Sequence, residues 1–202
     1  ALPISIAFAF SSSEALRSAS VTTADFDATN GKIASVTGSG DTYTVTVTAT
    51  TDGDVSIAPS GAFSVADPGG NTTTVAGGTD RTVVYDATAP TVTLEQAAGQ
   101  ADPAKDATIR FTLSASETLQ TGSVTAADFT ATNGTIVSVS GAGDTFTVTT
   151  TATGQGAVEL APSNGFSVSD LAGNTRTTAA GDRKSTRLNS SHTDISRMPS
   201  SA

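Results

Sequence analysis

Two tandem all-β domains, each a sandwich of about seven short strands, are predicted by three observations. The first is an internal repeat. Sliding the chain against itself by 103 residues aligns Ile4–Gly78 with Ala107–Gly181 without a gap, and about 44 of the 75 pairs are identical. Solenoid units are usually ~20–50 residues, so a repeat this long is a whole domain. The second is periodicity: apolar residues alternate with Thr and Ser, and a 3.6-residue pattern never persists for three turns. The third is punctuation, because Gly, Asn, Asp and Pro turn signals recur roughly every 8–12 residues. The predicted domains are residues 1–86 and 91–181, joined by a linker at 87–90 and followed by a tail at 182–202.

Ile4, Ile6, Phe8 and Phe10 alternate with small residues, as Ile109, Phe111 and Leu113 do in the second copy. That period of two describes a half-buried strand. A polar loop holding Glu14 (Glu117 in the second copy) leads to Ala24–Phe26 and Ala127–Phe129, whose Phe is a core anchor. Asn30-Gly31 and Asn133-Gly134 are hairpin-turn signals, since both residue types tolerate positive φ. Short strands are expected at Ile33–Val36 and Ile136–Val139, closed by a Gly-x-Gly-Asp turn. Others are expected around Tyr43–Val47 and Phe146–Val148, then Val55–Ile57 and Val158–Leu160, ending at Pro59 and Pro162. Phe63–Val65 and Phe166–Val168 run into Asp67–Asn71 (DPGGN) and Asp170–Asn174 (DLAGN), and Val83–Tyr85 closes the first domain.

Both copies are incomplete against each other. The first has no equivalent of Thr91–Leu94, its opening strand, and the second has no equivalent of Arg81–Asp86, its closing strand. The chain is therefore expected to be a window on a longer array, with an unpaired strand edge in the second domain. Beyond Gly181 the composition changes. The last stretch holds four of the ten basic residues, the only His and the only Met. Asp182–His192 and Ser196–Ala202 resemble translated stretches of a short-read sequencing adapter. The segment 182–202 is read as non-native and disordered, and carries no weight for fold or function.

Without that tail, Ala1–Gly181 carries 6 basic and 17 acidic residues, a formal net charge of −11. Such a surface offers no footprint for nucleic acid or anionic membranes but suits divalent cations. No apolar run approaches the ~20 residues of a membrane span. The absence of Cys excludes disulfides, thiolate zinc sites and a cysteine nucleophile. A Ser–His–Asp arrangement needs an imidazole, and the only one, His192, lies in the tail. Paired carboxylates of the glycosidase kind are present, but with no Trp and two Tyr there is little to stack a sugar on. Gly38–Gly40 and Gly141–Gly143 precede no helix and are not nucleotide loops. The expectation is a protein without enzymatic activity.

The repeat resembles the bacterial immunoglobulin-like domains strung together in large surface adhesins. The resemblance is carried by Asp86–Pro90 (DATAP), the Ser-Glu after the first complete strand, Ala-Asp-Phe, and the Asp-x-x-Gly-Asn loop before the last strand. It covers essentially all of Ala1–Gly181. It implies immunoglobulin-like sandwiches without disulfide or buried Trp, stacked end to end, non-enzymatic, extracellular on the bacterial surface, and often binding calcium between domains.

The residues themselves suggest the same ion. In a sandwich entered at one pole and left at the other, the loop after the second strand and the loop before the last lie at the entrance. In the second domain these loops hold Glu117, Asp170 and Asn174, and the linker brings Asp86. Unpaired carboxylates held together repel, and Ca²⁺ with its six to eight oxygen ligands removes that cost. Asp86, Glu117 and Asp170 are the expected ligands, with Asn174 as ligand or turn former. The first domain repeats the set as Glu14, Asp67 and Asn71. Asp52 and Asp54 do not recur and are read as loop decoration, while Asp25 and Asp128 recur but are assigned to no site. The expected role is a calcium-stiffened spacer whose partners are neighbouring repeats. The rival is a ligand- or carbohydrate-binding accessory module of an extracellular hydrolase.

Overall fold

The structure is a computed structural model that describes residues 5–74, 78 and 80–177, and the strand at 184–188 by its backbone. The protein is all-β, and the chain divides into two compact units, Ala1–Thr88 and Ala89–Ala202. Among the described residues no helix is long and apolar enough to cross a membrane.

The first unit contains β1 (Ser5–Leu16), β2 (Phe26–Thr29), β3 (Gly31–Ala49), β4 (Gly53–Pro59), β5 (Val65–Ala66), β6 (Thr72–Thr73) and β7 (Thr82–Tyr85). β1 pairs antiparallel with β3, and β2, β4 and β7 form a second sheet in that order. β3 is one extended run that doubles back on itself. Gly38, at φ +140°, sits so close to the returning strand that a Cβ there would lie 2.4 Å from the Thr42 carbonyl oxygen. Phe8, Tyr43, Val45 and Val47 from one sheet meet Phe26, Val55 and Ile57 from the other in a single core.

The second unit contains β8 (Val92–Gln96), β9 (Thr108–Ala115), β10 (Phe129–Thr132), β11 (Gly134–Ala142), β12 (Thr145–Ala152), β13 (Gly156–Pro162), β14 (Val168–Ser169), β15 (Thr175–Arg176) and β16 (Lys184–Leu188). One sheet runs β11-β12-β9-β8 and the other β10-β13-β16. Opposed residues share a face, so Leu94, Leu113 and Phe146 line up across three strands. Their inward row packs with Phe129, Val158 and Leu160 of the other sheet. The alternation that predicted the strands is thus the pleat of two sheets sharing one core.

Two expectations change. Asn-Gly does not close a two-residue hairpin, which would need positive φ at both positions. Only Asn30 and Asn133 are left-handed, each at φ 53°. They turn the chain from one sheet to the other, and Asn30 binds Thr51 through both ends of its amide. The Gly is required for closeness instead, since a Cβ on Gly31 would lie 2.6 Å from Val47 Cγ1. The second change concerns the edge expected to be open in the second domain. β16, from the segment read as disordered, pairs with β13 as β7 pairs with β4 in the first unit. The rest of 182–202 lies outside the described residues.

The crossings are held by a repeated carboxylate tie. Short 3-10 turns at Thr23–Asp25 and Ala126–Asp128 bury Asp25 and Asp128. Asp128 Oδ2 accepts the Thr125 backbone N–H at 2.7 Å and its hydroxyl at 2.8 Å, while Oδ1 accepts the Ser167 N–H at 3.2 Å. Asp25 makes the same bonds to Thr22 and Ser64. Leaving such buried donors unsatisfied is costly. Asp128→Ala is therefore expected to destabilise the second unit by about 3 kcal/mol in urea unfolding. Asp144→Ala, at an exposed turn position, should change stability by no more than about 0.5 kcal/mol.

Candidate functional site

Strand order brings two loops of the second unit together. The segment after β9 meets the segment after β14 through an isolated bridge between Leu119 and Asp170, and the Gln120 N–H donates to the Ser169 carbonyl at 2.8 Å. The side chains of Glu117 and Asp170 each offer a carboxylate oxygen within 4.8 Å of the other. Asp170 is 1% exposed and Glu117 half-buried.

The loop Asp170–Asn174 is a closed turn. The Asp170 N–H donates to the Asn174 carbonyl, and the Gly173 N–H donates to that of Asp170. The Asn174 backbone N–H donates to Asp170 Oδ1 at 2.9 Å, and its side-chain NH₂ donates to Oδ2 at 3.0 Å. Gly173 at φ +92° makes the turn possible. Asn174 is therefore a turn former that aims the Asp170 carboxylate, and its amide nitrogen is already committed.

The first unit builds the same turn. Asp67 is buried, and its carboxylate accepts the Asn71 backbone N–H at 2.8 Å and the side-chain NH₂ at 2.7 Å. Glu14 is exposed and lines the same cleft as Asp67 and Asn71. The Asn71 side chain first, then its backbone N–H, hold the Asp67 carboxyl below its ordinary 3.8, outweighing the opposing effect of burial.

Asp86 lies just past β7, near the end of the first unit. It is half-buried, and its Oδ1 accepts the Thr88 N–H at 3.0 Å. Asp52 has a role that its lack of a repeat concealed. Its carboxylate accepts the Ala87 N–H at 2.9 Å and the Thr88 hydroxyl, tying the start of the linker to the turn before β4. Those bonds, the Thr88 hydroxyl foremost, lower its pKa. Sequence offers no pattern for this tie, because the position corresponds to Gln155 in the other copy.

Six or more oxygen ligands from carboxylates and carbonyls are what a hard dication takes. Glu117 and Asp170 fit that chemistry, since each carboxylate oxygen of Asp170 keeps a lone pair beyond its bond from Asn174. Comparison with protein-family models, curated proteins and solved structures gave no match.

A lowered folded pKa at Asp67 means the unfolded chain binds the proton more readily. Its stabilising contribution is complete above the ordinary value of 3.8 and is lost as pH falls through the lower folded value. In a carboxyl NMR titration Asp67 should titrate below 3.8, and Asn71→Ala should move it back up towards that value.

Proposed function

We propose that the two units are tandem immunoglobulin-like domains of a repetitive bacterial surface adhesin, acting as a spacer outside the cell. The observation that carries this reading is the repeat itself: two units whose corresponding strands pair alike, each with the same Asp-x-x-Gly-Asn turn before its last strand. The aromatic rings support it too. The buried rings of Phe26 and Phe63 in one unit and of Phe129 and Phe166 in the other meet edge to face within the cores. A ligand-binding platform would need such rings at the surface.

Calcium is the proposed stiffener. Asp86 would join Glu117 and Asp170 around the ion, fixing the linker, with Asn174 holding Asp170 in place. An ion bound only in the aligned arrangement shifts the population towards it by its differential affinity. Among the described residues no third carboxylate joins Glu14 and Asp67, so Glu14, Asp67 and Asn71 would hold the ion more weakly.

A thermal melt in excess calcium against EDTA tests this. Calcium at about 100 times its Kd adds roughly 2.7 kcal/mol to the state it binds, a rise on the order of 10 °C for a domain of this size. Asp86→Ala should abolish most of the rise while leaving the melt in EDTA within a few degrees. Equal melts with and without calcium would leave a spacer that does not depend on the ion.

A further inference from the structure

The connection between β8 and β9 builds a cleft that the repeated framework does not explain. Residues 97–107 are tied back onto the strands they join. The Ala97 N–H donates to the Arg110 carbonyl and the Gln100 N–H to that of Ala97, both at 3.0 Å. Gln100 Oε1 accepts the Arg110 N–H at 3.0 Å, and Gln96 Nε2 donates to the Gln100 carbonyl at 2.8 Å. Ala104 pins the loop from below, buried in the same core as Val92 and Leu94. Over this fixed loop lies a cleft of about 530 Å³, within the range of small-ligand sites. Its walls are mostly Ala, Gly and Pro, with Lys105, Asp106, Thr108 and Arg110 among its polar lining. Lys105 and Arg110 are two of the six basic residues of Ala1–Gly181, against 17 acidic ones. By the 103-residue offset they correspond to Leu2 and Ala7, so the shared framework does not call for them.

We infer that this cleft binds an acidic sugar, a hexuronate unit that carries one carboxylate and several hydroxyls. The two cations are the anchor. An Arg guanidinium takes a carboxylate through paired N–H bonds, and a Lys ammonium acts as a point charge. On an otherwise acidic surface, two cations lining one concavity focus the attraction for an anion there. Asp106 on the same lining selects among anions. A bare anion is repelled by its carboxylate, whereas a sugar hydroxyl can donate to it. Thr108 offers a further hydroxyl partner. The lining holds no aromatic ring, so a neutral sugar would have neither stacking nor charge to hold it. The site takes an anion and uses none of the proposed calcium ligands. It gives a spacer unit a hold on acidic polysaccharide.

The test titrates tetragalacturonate into the whole chain by calorimetry, in EDTA so that no calcium bridges the sugar to surface acids. The fully methyl-esterified sugar, alike in outline but uncharged, is the control. Saturable binding with a Kd below about 1 mM is expected, at least about tenfold tighter than for the ester. Lys105→Ala together with Arg110→Ala should weaken it at least about tenfold. The melt of that variant should stay within a few degrees, because both side chains are exposed. Asp106→Ala should weaken binding too, by removing the hydroxyl acceptor. No saturation up to about 1 mM, equal binding of the ester, or unchanged binding in the double variant would each overturn the inference. Tighter binding in Asp106→Ala would mark a bare anion site and overturn the assignment to a sugar.

Discussion

Buried Asp carboxylates accepting backbone N–H groups are what the loops of both units depend on. Val is the commonest side chain in the two cores, and the chain has no Cys to cross-link its turns. A loop crossing between sheets leaves amides that no ladder satisfies, and inside a protein each must find an acceptor. Asp25 and Asp128 supply it at one crossing, and Asp67 and Asp170 at another. An ionised carboxylate is well suited because each oxygen takes more than one donor, and bonds to a charged acceptor are the stronger kind. The acidity of the repeat is thus partly architectural. Its buried acids hold loops before they do anything else.

This sorts the acidic residues by task. Asp25 and Asp128 have carboxylates that each accept three bonds from Thr and Ser donors within their own unit. Asp170 differs in keeping company with a second carboxylate, that of Glu117, on a neighbouring segment. A group already fixed by its turn loses little freedom on binding an ion, so rigidity set by Asn174 lowers the cost of binding. The same residue can be structural in one respect and a proposed ligand in the other, because each of its oxygens has two lone pairs and the turn uses one.

The fold was legible where chemistry repeats with the pleat. Phe8, Phe111, Val45 and Val148 announced inward faces by a period of two, and they are the core. The loops carrying Glu117 and Asp170 were placed together by counting strands, and the bridge from Leu119 to Asp170 brings them there. What sequence did not disclose depends on partners distant in the chain. Asp128 meets Ser167 across 39 residues, and Asp52 meets Thr88 across 36. No local pattern encodes such a pairing, and Asp52 lacks even a counterpart in the second copy. Asn-Gly misled for a related reason. The dipeptide specifies left-handed backbone at Asn, but whether the chain then turns within a sheet or between sheets is decided by packing on Val47.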